Sequence, residues 1–210
     1  MFERVIFLLI SGEFICKVSH PEAYEFLCRE DEARDVDEYL SRIGRRLAKT
    51  PHESGFYLSF VRCGEDERKA IREHYQEIKN ALTPVVLFFH LVMRATGQED
   101  IFMHRAVIET NSLIGQIDQD PGLRSELQSL SVISKSFAAD GSHRSMFDRI
   151  IRKLKDDGYL VLVNAERGLY KVTSKVEYLL DVVRFLQEND ETLKTADDSD
   201  DAENETRTLL

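Results

Sequence analysis

A chain of 210 residues and 24.3 kDa has room for one domain or two small ones, and a hydrophobic share of 42% supplies a core. The net charge of -10 and pI near 5.1 exclude a protein that coats nucleic acid by overall attraction. Nine acidic and two basic side chains fall from Gln187 onward, so a net -7 sits in that tail and about -3 in the body, which leaves room for local basic faces.

The opening MFERVIFLLISG carries an apolar run, Val5 to Ile10. It is too short for a signal peptide, Glu13 follows, and no small-residue cleavage site is present. A first core helix from Phe2 to Ser11, stopped by Gly12, is the reading. Nothing in the sequence approaches the length of a membrane span. Phe14 to Val18 is expected as a brief strand. Ser19 is an N-cap candidate and Pro21 suits the first turn of a helix running to Cys28.

In DEARDVDEYLSRIGRRLAK the apolar residues Val36, Tyr39, Leu40, Ile43 and Leu47 recur at helical spacing, which buries one face. Leu47 to Thr50 and Gly55 to Val61 then read as two strands around the turn PHES. The order is helix, strand, helix, helix, strand, turn, strand, which is the order of a winged helix. Asp66 to Ala81 reads as a charged, solvated helix. Thr83 caps a new helix opened by Pro84, and PVVLFFHLVMRAT is apolar nearly all round and central to a core. Its His90 is expected as a satisfied core group.

Gly97 ends that helix. Asp100 to Met103 is expected as a short strand and His104 to Leu113 as a helix. A Gln-, Asp- and Ser-rich insertion follows, with a helix from Leu123 to Leu130. In SHRSMFDRIIRKLKDDG the residues Met146, Phe147, Ile150, Ile151 and Leu154 form a tight apolar stripe, and Gly158 stops the helix. His143 and Ser145 at its start serve as caps. Tyr159 to Val163 and Gly168 to Val172 make a second hairpin around NAER, and a last helix spans Lys175 to Gln187. From about Asn189 onward the chain has too few apolar residues to offset ordering entropy, so a disordered acidic tail is expected.

The two halves thus repeat one order of elements. Glu53, Gly55 and Tyr57 of the first hairpin correspond to Glu166, Gly168 and Tyr170 of the second. Gly in both places permits positive φ at the end of the turn. The fold class is mainly α with small β-hairpins: tandem winged-helix domains joined by a helix, with an acidic tail. The boundaries are 1–64, a helical joint 65–83, 84–187, and the tail 188–210.

Catalytic chemistry is not advertised. Walker loop, GxGxxG, HExxH and GxSxG motifs are missing from the sequence. Cys16, Cys28 and Cys63 have no CxxC spacing and read as thiols in a reducing cytoplasm. No cofactor and no metal is expected. DNA contact is weighed at Arg144, Arg149, Arg152, Lys153 and Lys155 on the second candidate recognition helix. Asp148–Arg152, Arg152–Asp156 and Lys153–Asp157 are spaced for i,i+4 pairs, so a solvated face is the competing reading. In the first half Arg45, Arg46 and Lys49, with Arg42, follow an acidic run that would repel phosphate from a recognition helix.

Together the N-terminal MFERVIFLLISGEFI, the hairpin ESGFYLSFVR, the helix into LTPVVLFFHLVMRA and the block MFDRIIRKLKDDGYLVLVNAERGLYKVTSKVEYLL resemble the MukE/MksE subunits of bacterial condensins. These belong to the KITE group, and the compact size is nearer MksE. The likeness covers most of residues 1 to 187. It implies a non-catalytic homodimer that binds a kleisin (MksF-like) and, through it, an SMC ATPase (MksB-like). It also implies DNA held weakly or within the complex, no membrane partner, and a cytoplasmic, nucleoid-associated location in chromosome organisation and segregation or in plasmid defence. A dimeric winged-helix transcription regulator is the alternative, and an enzyme of unknown class the third reading.

Overall fold

The structure, a computed structural model, describes residues 1–62, 64–98, 105–133, 142–185 and 188. It is mostly helical with two small antiparallel sheets. The chain opens with α1 (Phe2–Ile10), which buries Val5, Ile6 and Leu9 at helical spacing. Gly12, at φ 81°, turns the chain into β1 (Ile15–Cys16). Then come α2 (Pro21–Leu27) and α3 (Glu30–Ser41). Pro21 stands at the start of α2, where its missing N–H costs nothing. His20, not Ser19, occupies the N-cap position. Ser19 instead pins β1, its Oγ donating to Phe14 O at 2.6 Å and accepting from Cys16 N at 3.1 Å.

The sequence reading placed Arg45 and Arg46 on a helix, and the structure corrects it. Helix α3 stops at Ser41, Gly44 takes φ 72°, and Arg45–Lys49 forms β2. Ile43 and Leu47 continue the spacing of Val36 and Leu40, but a left-handed glycine lies between them. Only Val36 and Leu40 of that stripe are fully buried, while Tyr39 and Ile43 are exposed. Strand β3 (Gly55–Phe60) lies between β1 and β2, with Leu47 opposite Leu58 and Ile15 opposite Phe56. A first core gathers Val5, Leu9, Ile15, Leu27, Val36, Leu40 and Phe56.

A single helix, α4 (Glu65–Thr96), follows. Thr83 and Pro84 therefore do not start a new helix: Pro84 lies inside α4. Proline removes one backbone rung, yet Ile78 on one side and Val85, Phe88 and Phe89 on the other bury in the same second core, and that packing carries the helix through. His90 is exposed, on the opposite side from Phe88, Phe89, Leu91 and Val92, so it is not a core group. The fused helix also contains an apolar stretch long enough to cross a membrane by length and composition, against the sequence reading. That stretch packs its buried side chains into the second core. Gly97, at φ 68°, closes the helix.

The expected strand 100–103 lies outside the described residues. Residues 107–113 do not form the expected single helix. Val107–Glu109 is β4, its Ile108 buried and paired with Tyr170, and α5 (Thr110–Gln119) begins there. Helix reaches into the supposed insertion because Leu113, Ile114 and Ile117 bury together. After α6 (Pro121–Ile133), tied to α4 by the Arg94–Glu126 ion pair, comes α7 (His143–Asp156). Ser142 caps α7 by accepting from Ser145 N, so the cap is neither His143 nor Ser145. Phe147, Ile150, Ile151 and Leu154 are buried as the stripe predicts.

Strands β5 (Leu160–Asn164) and β6 (Leu169–Val172) complete a sheet ordered β4-β6-β5, the counterpart of β1-β3-β2. A helix spanning 175–185, α8, follows. The two halves therefore repeat element order and sheet order, with α6 as an extra helix in the second. The aligned glycines share a close approach and differ in backbone. A Cβ on Gly168 would stand 2.2 Å from Thr110 Oγ1, as one on Gly55 would crowd Ser174. Gly168 also takes φ 62°, whereas Gly55 does not have a positive φ, and Glu53 holds the left-handed place in the first turn at φ 53°. The tail from Asn189 lies outside the described residues.

Candidate functional site

Side chains from both halves converge on a seam between the first hairpin and α8. Ser54 and Gly55, at the end of the first turn, meet Ser174 and Glu177 at the start of α8. Ser54 Oγ donates to Glu177 Oε2 at 2.6 Å. Thr50 Oγ1 lies 3.2 Å from Ser54 Oγ and accepts from Gly55 N at 3.1 Å. Thr50, Ser54, Ser174 and Glu177 are all buried.

Beside this polar patch stands an aromatic cluster. Phe14 stacks on Tyr57 with centroids 5.3 Å apart, and Tyr178 lies 4.8 Å from Tyr57 and 5.1 Å from Phe14. His74 Nε2 is 3.2 Å from Tyr178 Oη, and Tyr75 stacks on Phe185. Burial raises the Tyr178 phenol well above its ordinary range, with the neighbouring Tyr57 adding to the effect. The phenol of Tyr57 is raised for the same first reason. The cluster walls a groove of about 590 Å³ lined by Phe14, Tyr57, Phe60, Ile71, Tyr178 and Phe185 among others, with Arg62 and Asp181 as its charges. Aromatic rings with polar tips suit contact with another chain, since each presents a large apolar area and one hydrogen-bonding atom.

The predicted cations fall in two separate places. On α7, Arg144, Arg149, Arg152 and Lys155 are exposed, on the turns away from Phe147, Ile150 and Leu154. Lys153 Nζ contacts Asp157 at 2.5 Å, the one i,i+4 pair of the three expected that forms an ion pair among the described residues. Lys155 Nζ lies 3.6 Å from Asp156, and Arg144 reaches Asn111 Oδ1 at 3.5 Å.

On β2 the three cations alternate as a strand dictates. Arg45 lies over the Phe60 ring at 3.8 Å and Lys49 pairs with Glu53 at 2.9 Å, both on the face of Leu47. Arg46 is exposed on the other face, where its charge acts on Tyr57. The two sets thus sit on different elements of different halves.

Among the described residues no group of three His, Cys, Asp or Glu side chains is placed to hold a metal. Cys16 is buried and Cys28 exposed. The groove and seam were not anticipated from the sequence. The groove's walls come from the loop before β1, from β3, α4 and α8, and only the first hairpin, with Tyr57, gave a local signal.

A mostly helical chain with a repeated sheet order and an aromatic groove between its halves is the class these features define. The chain belongs to the family of the condensin complex protein MksE, whose family model matches residues 1–184. The match spans both sheets and the seam. It makes the chain a subunit of a condensin complex, with other subunits as partners. A comparison with curated proteins finds no match.

Proposed function

We propose that this chain is a non-catalytic, kleisin-binding subunit of an SMC condensin-like complex. It acts as a homodimer that helps clamp DNA in chromosome organisation and segregation, at the nucleoid in the cytoplasm and without a membrane partner. The carrying observation is the MksE family match running through both repeats. The sheet orders β1-β3-β2 and β4-β6-β5, each behind helices, support a reading as tandem winged helices. The domains would run over 1–64 and 84–187, with 65–83 as a joint inside α4. The aromatic groove supplies an apolar face for an extended kleisin segment.

The DNA contact proposed is weak and salt-sensitive, through the outward cations of α7. A sequence-reading transcription regulator is less well supported, since Arg45, Arg46 and Lys49 lie on a strand and not on a recognition helix. The test is co-expression with the kleisin and SMC proteins encoded by the same genome, followed by affinity capture and mass measurement in solution. A stable complex containing the kleisin and two copies of this chain is the expected result. Substituting Phe185→Glu at the groove rim should weaken capture. A chain that purifies alone beside its co-expressed kleisin overturns the reading.

A further inference from the structure

The halves bury two separate cores, and no residue belongs to both. They meet at a polar seam of hydroxyls, one carboxyl group and one glycine, and beside it through the rings of Phe14, Tyr57 and Tyr178. We propose that the Thr50–Gly55 turn and the start of α8 form a releasable latch that sets the angle between the halves and thereby opens or closes the aromatic groove. This inference stands independently of the proposed function.

Three observations carry it. The first is fit. A Cβ placed on Gly55 would stand 2.1 Å from Ser174 Oγ and 2.8 Å from Ser174 Cβ, closer than atoms can approach. Gly55 does not have a positive φ, so close approach and not backbone freedom is what requires glycine here.

The second is chemistry. Buried hydroxyl and carboxyl groups regain water when a seam opens, so parting it costs less than parting an apolar core of equal area. Ser174 Oγ is buried and has no hydrogen-bond partner among the described residues, and release would hydrate it.

The third is placement. Phe14 and Tyr57 come from the first half and Tyr178 from the second, one turn of α8 beyond Ser174. Turning the halves apart at Ser54–Glu177 therefore separates the rings that wall the groove. A partner that binds the closed groove favours the latched state by its difference in affinity between the two.

The test uses the full chain with spin labels at Ser41→Cys in α3 and Ser125→Cys in α6, after replacing Cys28 and Cys63 with serine. The interlabel distance is measured by pulsed electron resonance. The parent should give one dominant distance, with any open state below about 10%. Gly55→Ala should move the major fraction to a second, different distance while circular dichroism keeps its helical signal. Adding Ser174→Gly removes both clashing atoms and should restore the parent distance, since the next nearest atom, Cys16 Cβ at 3.3 Å, needs to shift by only tenths of an ångström. An unchanged distance in Gly55→Ala, or a folded double variant that stays open, overturns the latch. If Gly55→Ala does not fold, Glu177→Ala replaces it. A second distance then supports the latch and a single parental distance overturns it.

Discussion

Ser54 donates a 2.6 Å hydrogen bond to the Glu177 carboxyl group although the two residues lie 123 positions apart, and both are buried. The bond joins the first hairpin to α8, so it reports on how the halves hold each other as well as on either half alone. Removing the donor with Ser54→Ala leaves the carboxyl group buried with one hydrogen bond fewer. The expected cost is about 1–3 kcal/mol. Urea unfolding of the full chain measures it. A midpoint equal to the parent's would mean that the seam contributes nothing to stability.

Buried tyrosines, Tyr159 and Tyr178 most of all, make the protein sensitive to strong alkali. Burial, with Asp157 nearby, pushes the Tyr159 phenol up to about 12, and burial also raises that of Tyr178. In the unfolded chain both phenols ionise near their ordinary value of about 10. Below that value the folded and unfolded states hold the same phenolic protons. Between about 10 and 12 the unfolded state loses its Tyr159 proton first, so stability falls as pH rises, by about 3 kcal/mol for this residue across the window. Absorbance of tyrosinate against pH, read beside circular dichroism, checks it. The Tyr159→Phe variant should lose less stability over the same window. An equal loss would assign the alkaline transition to other groups.

Pro84 interrupts the hydrogen-bond ladder of α4 near its middle. Alanine there restores a donor for the turn before it and improves helix propensity. The ring is buried, so some packing is lost. Because interior proline costs about 3 kcal/mol, a net gain of about 1–2 kcal/mol is expected for Pro84→Ala, seen as a higher melting temperature. A lower melting temperature would show that the ring's packing outweighs the missing rung.

What could be seen in the sequence follows from the range of the forces involved. The α7 stripe was legible because Phe147, Ile150, Ile151 and Leu154 bury on one core at strict helical spacing. The segment after Ser41 misled because Ile43 and Leu47 kept that spacing across Gly44, whose left-handed backbone ends the helix and lets Arg45–Lys49 pair with β3. Thr83-Pro84 read as a break because local propensity favours one there, whereas Ile78 and Phe88 on its two sides share one core. The matching glycines of the two hairpins were visible as letters. The neighbours that crowd them, Thr110 at Gly168 and Ser174 at Gly55, lie far away in the chain, and only Gly168 adds a positive φ. The groove stayed hidden for the same reason, since Phe14 comes from the loop before β1 and Tyr57, Tyr75 and Tyr178 from three separate elements.

The two sets of cations make different predictions for DNA. Arg149 and Arg152 face outward from α7, whereas Arg45 is half-buried over the Phe60 ring. Each phosphate contact contributes about 0.9 to the slope of log affinity against log salt on duplex DNA. If α7 holds the backbone, the Arg149→Ala, Arg152→Ala double variant should flatten that slope by up to about 1.8, with little change in its preference among sequences. Arg45→Ala should leave the slope nearly unchanged and lower stability instead, by about 0.5–1 kcal/mol through loss of its cation–π contact. Titration of the full chain with a fluorescent duplex at several salt concentrations separates the two. Equal slopes for the parent and the α7 variant, with a flatter slope for Arg45→Ala, would move the DNA-facing surface from α7 to β2.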